Sequence, residues 1–107
     1  MRELKPNDRV SISMDADGVA QVRMIRTDKM NALDPDMFDR LLEAGEVLYA
    51  MPGLRAVALA GEGRSFCAGL DLTSMAKTDR HDAVPLTERT HGNSNRPQQV
   101  AMQWRKL

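Results

Sequence analysis

Apolar and polar residues alternate twice near the start of the chain. Val10, Ile12 and Met14 are separated by Ser11 and Ser13, and Ala20, Val22 and Met24 by Gln21 and Arg23. A period of two puts the apolar set on one face of a half-buried strand. Asp15-Ala16-Asp17-Gly18 lies between the two runs and supplies turn chemistry, with Gly18 free to take a positive φ. The pattern predicts a β-hairpin. Residues 26–33 are irregular and charged, and the period then lengthens. Asp34 followed by Pro35 is an N-cap acid with proline at the first helical position. Phe38, Leu41, Leu42, Gly45, Leu48 and Tyr49 fall at helical spacing and form one apolar face, which Pro52-Gly53 ends. Gly45 on that face weakens the helix by about 0.5–1 kcal/mol relative to Ala and would permit close packing against the sheet.

Leu54 to Ala60 is nearly continuous in apolar character and predicts a buried strand. Strand, helix and strand in this order imply a βαβ unit whose second strand runs parallel to an earlier one. A short helix is expected to open at Asp71 and run to Met75. Residues 77 to 97 are polar, with Pro85, Gly92, Asn93, Asn95 and Pro97, and predict a long mobile loop. A helix resumes at Gln98, with Val100, Met102, Trp104 and Leu107 apolar and Arg105 and Lys106 exposed. The expected class is α/β, and the 107 residues read as the first part of a larger domain without an internal repeat.

Composition narrows the function classes. Fifteen basic residues balance fifteen acidic ones, so no net field steers nucleic acid or an anionic membrane. Cys67 is the single cysteine, which leaves no intrachain disulfide and no sign of an oxidising compartment. The opening MRELKPNDRV has no apolar signal segment. The longest uncharged apolar run, Ala56 to Ala60, is far short of the roughly 20 residues that span a bilayer. A cytoplasmic protein is expected, with no membrane partner and no nucleic-acid partner; an aromatic content of 4% also argues against stacking on RNA.

The chemistry concentrates in GEGRSFCAGLDL, residues 61 to 72, where the expected buried strand ends among glycines. A phosphate-binding loop of the Walker type fails because no Lys follows any of these glycines. The dinucleotide fingerprint fits at Gly61 and Gly63 but has Phe66 where its third glycine belongs. Ser65 lacks the flanking glycines of a nucleophile elbow. Cys67 as a nucleophile needs a base, and His81 and His91 both fall in the expected loop, which leaves a small buried thiol as the plainer reading. The remaining option is the backbone. N–H groups at the start of a helix have no intrahelical partner, and small neighbours admit a ligand to them. In Ala68-Gly69-Leu70-Asp71 the Leu70 N–H would point into a pocket, which suits an oxyanion hole.

GEGRSFCAGLDL resembles the signature of the crotonase superfamily, the enoyl-CoA hydratase/isomerase family, in which a glycine-containing loop leads into F-x-A-G-x-D-[LI]. Upstream, Arg26-Thr27-Asp28-Lys29-Met30-Asn31-Ala32-Leu33 is similar to the family's R-x-x-K-x-N-A-L element. The resemblance covers residues 10 to 107 and concerns the family's N-terminal portion. It implies a crotonase-like spiral fold and an acyl-CoA thioester as ligand. The Leu70 N–H would be the first of two oxyanion donors. Phe66, Cys67 and Ala68 would line the adenine slot, with Gly69 and Asp71 completing that loop. Arg26 and Lys29 would approach the CoA phosphates, Met30 and Ala32 would flank the pantetheine, and Asn31 would stabilise the turn.

The resemblance implies no metal and no cofactor beyond CoA, which is part of the substrate. It implies a homotrimer or dimer of trimers for a complete protein. The shared step is stabilisation of a thioester enolate, with hydration of a 2-enoyl-CoA as the first expectation. Double-bond isomerisation, decarboxylation and dehalogenation are alternatives, as is a non-catalytic acyl-CoA-binding or protein-binding scaffold. The family's second oxyanion donor and its catalytic acids would lie beyond residue 107, so this stretch alone is expected to be inactive.

Overall fold

A computed structural model describes residues 4–73 and 95–107. Strands β1 (Val10–Met14) and β2 (Val19–Met24) form the expected antiparallel hairpin, with Val10 opposite Met24 and Met14 opposite Ala20. Asp15 builds the turn: its carboxylate accepts from the Asp17 and Val19 N–H groups at 2.8 and 3.1 Å, and Gly18 takes φ 85°. Helix α1 (Pro35–Tyr49) follows, and β3 (Ala56–Gly61) then pairs parallel to β2, as the βαβ pattern requires. The sheet order is β1-β2-β3.

The core forms where α1 lies on the hairpin. Val10, Ala20, Val22 and Met24 from the strands meet Met37, Leu41, Ala44 and Leu48 from the helix, all buried. Each large apolar side chain so buried contributes about 1.5–3 kcal/mol relative to exposure. Tyr49 falls off this face and is 75% exposed, contrary to its place in the predicted apolar stripe.

Strand β3 corrects the expectation of a buried strand. Ala56, Ala58 and Ala60 are exposed, and Val57 and Leu59 are half-buried. Register explains this. Val57 and Leu59 pair with Ala20 and Val22 on the helix-covered face, and the alanines share the opposite face with Gln21 and Arg23. A parallel strand is buried on both faces only when a layer covers each, and among the described residues one face is covered. The run Ala-Val-Ala-Leu-Ala did carry a period of two, written in side-chain size rather than polarity.

The C-terminal helix also differs. Helix α2 (Arg96–Met102) opens two residues before Gln98. Asn95 and Gln98 form a reciprocal capping box, with Asn95 Oδ1 accepting from Gln98 N–H and Gln98 Oε1 from Asn95 N–H, each at 2.9 Å. Pro97 therefore belongs to the first turn and not to a loop. A 3-10 turn, Gln103–Lys106, continues the helix. Its buried residue is the polar Gln103, not an apolar one; Met102 and Leu107 stay about two-fifths exposed. The rest of the predicted loop and short helix, residues 74–94, lies outside the described residues, as do His81 and His91. No helix among the described residues is long and apolar enough to cross a membrane.

Gly45 packs against this last segment and not against the sheet. Gln103 Nε2 donates to the Leu41 carbonyl at 2.8 Å, and a Cβ at position 45 would collide with the Gln103 amide. Helix propensity alone favours Gly45→Ala by about 0.5–1 kcal/mol. Overpacking and loss of the buried Gln103 contact oppose it by about 1–3 kcal/mol each. Urea unfolding of Gly45→Ala is expected to show net destabilisation of about 1–3 kcal/mol; a stabilised variant would mean that the Gln103 contact contributes little.

Asp34 caps α1 and also gathers charge. Its Oδ1 accepts from Met37 N–H at 2.8 Å, and Arg9 reaches both carboxylate oxygens, at 3.2 and 2.8 Å. Burial by itself pushes this carboxyl up, but the hydrogen bonds from Arg9 and Met37 and the charges of Arg9 and Arg26 outweigh it. They hold the group below its ordinary 3.8. A carboxyl depressed in the folded state stabilises fully above its unfolded value and loses that contribution as pH falls toward the folded one. The thermal midpoint of Asp34→Asn is therefore expected to lie below that of the parent at pH 6 and to converge with it below about pH 4. Parallel pH profiles for the two proteins would exclude a role for Asp34 titration.

Candidate functional site

The two sequence elements singled out above lie side by side. Residues 26–33 leave β2, residues 61–71 leave β3, and because those strands are parallel neighbours both segments emerge at the same sheet end. Backbone bonds then fasten them. Leu33 N–H donates to the Gly69 carbonyl at 2.7 Å, Asp71 N–H to the Leu33 carbonyl at 2.9 Å, and Ala68 N–H to the Met30 carbonyl at 3.0 Å. Leu33 and Leu70 thus form an isolated parallel bridge.

The first segment holds a tight shape. Thr27–Lys29 is a 3-10 turn, and Met30 and Asn31 follow at φ 51° and 58°, in the left-handed region. Each such residue costs roughly 1–2 kcal/mol and persists only where its surroundings enforce it. The enforcement is visible. The Arg26 carbonyl accepts from Lys29 N–H and Asn31 N–H, and Met30 N–H donates to Thr27. Asn31 is fully buried, and its Nδ2 reaches across to the carbonyls of Glu62 and Ser65 at 3.0 and 2.9 Å. The expectation that Asn31 stabilises the turn is met, and the residue also clamps the second segment.

Leu70 has the geometry on which the site turns. A parallel bridge uses the carbonyl before the bridging residue and the N–H after it. Gly69 C=O and Asp71 N–H are accordingly spent on Leu33. Gly69 at φ 87° makes the bend that a side chain would resist. The Leu70 N–H shares a planar trans peptide with the Gly69 carbonyl and so points the opposite way, away from Leu33. Among the described residues it has no hydrogen-bond partner.

The remaining candidates divide into two groups. Lys29 and Ala68 are exposed, and the large apolar side chains of Met30, Phe66, Leu70 and Leu72 are between 47% and 76% exposed around the paired segments. Cys67 is half-buried against the core, with its Sγ accepting from Gly69 N–H at 3.5 Å, which is a packing role.

Arg26, Ala32 and Asp71 face inward instead. The Arg26 side chain, which the resemblance directed to the CoA phosphates, is only 9% exposed. Its Nη1 lies 2.9 Å from Asp71 Oδ2 and donates to the Ala32 carbonyl at 3.0 Å, and its Nη2 lies 3.5 Å from Asp34 Oδ2. An arginine at the head of a charged, irregular segment gives no sequence signal of burial. The acids that receive it are 8 and 45 positions away, out of reach of any local pattern.

Two hollows of about 350 and 300 Å³ lie elsewhere. One is between α1 and α2 beside Leu42, Gly45 and Gln103, and the other is against β3 beside Val57, Leu59 and Trp104. Neither includes residues of the paired segments. Among the described residues no group of three or more His, Cys, Asp or Glu is placed to hold a metal ion.

This arrangement has close counterparts. An enoyl-CoA hydratase from Mycobacterium smegmatis superposes with a TM-score of 0.62 at 37% identity, over 67% of this chain and 28% of its own. One from Mycobacterium tuberculosis H37Rv gives 0.62 at 32% identity, over 67% and 32%. The enoyl-CoA hydratase AKT3-2 of Alternaria alternata is 34% identical over 59 residues, which is 55% of this chain and 20% of that protein. The chain therefore spans between 20% and 32% of the length of these relatives. The fold is crotonase-like, consistent with the expected class. The model of the enoyl-CoA hydratase/isomerase family matches residues 15–99, which takes in both paired segments, and the chain belongs to that family.

Proposed function

We propose that the complete protein binds an acyl-CoA thioester and stabilises its enolate, with hydration of a 2-enoyl-CoA as the reaction. The observation that carries this reading is the unpartnered Leu70 N–H, aimed away from the bridge that fixes it. Addition of water across the double bond places oxygen on C3 and a proton on C2. Negative charge gathers meanwhile on the thioester oxygen, where a fixed N–H is worth more than in the ground state. Exposed Met30, Phe66 and Leu70 supply an apolar wall for the pantetheine and the adenine, and Lys29 is the free cation nearest them in sequence.

The carboxylate adjoining Leu70, Asp71, is engaged by Arg26 and is not offered here as acid or base. The acid/base pair and the second oxyanion donor belong to the remainder of the complete protein, as do assembly into trimers and a cytoplasmic setting. Isomerisation of the double bond needs the same enolate and is the alternative outcome.

Two outcomes are expected. Purified residues 1–107 should give no useful turnover of crotonyl-CoA in a spectrophotometric assay. A missing oxyanion donor costs about 10²–10³ in rate and missing acid/base groups about 10²–10⁴. In the complete protein, Leu70→Pro deletes the donor and should lower kcat by about 10²–10³, whereas Leu70→Ala should be mild. Equal losses in the two variants would refute the backbone mechanism.

A further inference from the structure

The resemblance implied that Arg26 approaches the CoA phosphates, yet its side chain is buried and its two terminal nitrogens are engaged within the protein. One nitrogen, Nη1, serves two partners: the Ala32 carbonyl at 3.0 Å and Asp71 Oδ2 at 2.9 Å. Ala32 immediately precedes Leu33 and Asp71 immediately follows Leu70, so this nitrogen spans the Leu33–Leu70 bridge from both of its strands. The other terminal nitrogen lies 3.5 Å from Asp34, which is itself held by Arg9 and by the first turn of α1. The Leu70 segment is thereby anchored to the end of a helix seated on the core. Only a planar fork with several donors makes all three contacts; an ammonium is a single point.

We propose that Arg26, acting through Asp71, is a positioning residue for the Leu70 N–H and makes no contact with the CoA phosphates. This rests on the oxyanion reading above. The physical argument runs through one peptide plane. The direction of the Leu70 N–H is set by the Gly69 carbonyl, which accepts from Leu33 at 2.7 Å. That bond stays aligned only while the two segments keep their register. The Arg26–Asp71 pair is the charged contact between them, shielded with side chains 9% and 11% exposed, and charge-assisted bonds of this kind are about twice as strong as neutral ones. Displacing the N–H by a fraction of a bond length would leave ligand binding intact and weaken the field at the carbonyl oxygen.

The test uses the 107-residue chain with Arg26→Lys, Arg26→Met and the isosteric Asp71→Asn. Amide hydrogen exchange reads the bridge. In the variants, the Leu33 and Asp71 amides should exchange about ten- to a hundredfold faster, as for loss of a hydrogen bond to a charged group, while the β1–β2 amides stay protected. Crotonyl-CoA labelled at its carbonyl carbon then reads the oxyanion donor by NMR. The parent chain should move the bound carbonyl resonance downfield; the variants should bind CoA itself as the parent does and lose that shift.

Unchanged exchange in Arg26→Lys and Asp71→Asn, or a retained carbonyl shift, overturns the positioning role and leaves the oxyanion reading standing. So does a fall in affinity for CoA with the shift per bound ligand preserved, which would return Arg26 to the phosphates. No carbonyl shift with the parent chain overturns the oxyanion reading itself, and with it the proposal. Should Arg26→Met lose hairpin protection as well, Asp71→Asn, which keeps the side chain's shape, decides the matter.

Discussion

A buried guanidinium holds the two halves of the site together. Arg26 lies between Asp34 and Asp71, and Arg9 closes the set on the far side of Asp34, so two cations meet two anions with little water between them. Burying charge is costly unless pairing and hydrogen bonds are complete, and removing one member of such a pair costs roughly 3–5 kcal/mol. The arrangement is therefore stable only as a whole. It links the cap of α1, the turn after β2 and the loop after β3, the last two of which are also joined by backbone bonds and by the Asn31 side chain.

Backbone conformation around this network is unusual for a reason that can be stated. Met30 and Asn31 take successive left-handed conformations without being glycine. The strain is offset by Asn31, whose side-chain amide satisfies two carbonyls of the facing loop from a fully buried position. The consequence is a chain reversal that turns the Met30 carbonyl toward Ala68 and lets the Met30 side chain reach solvent. Three backbone bonds fasten the two loops to each other. The Leu70 N–H takes part in none of them, and an N–H already oriented by the fold needs no reorganisation when charge develops in front of it.

Hairpin, helix and parallel strand were legible because each depends on neighbours within a few positions. Alternation at Val10 to Met24 and the Asp34-Pro35 cap before an apolar stripe translate directly into β1, β2 and α1. The Asn95–Gln98 capping box was equally local and could have been read, since Pro97 fits the first turn of a helix as well as it fits a loop. Burial of β3 could not be read in the same way. Five consecutive apolar residues describe a strand able to be covered on both faces, and whether a second layer is present depends on other parts of the chain.

Local order along the chain thus dictated which elements form, and two short motifs singled out the two loops that the fold fastens side by side. Spatial neighbours decided what each side chain in those loops does. Arg26, Ala32 and Asp71 turned inward, and Gly45 met Gln103 instead of the sheet. Hydrogen-bond periodicity and capping act over three or four residues and leave a trace in the sequence. Burial and ion pairing join positions tens of residues apart, and only folding brings those partners within reach.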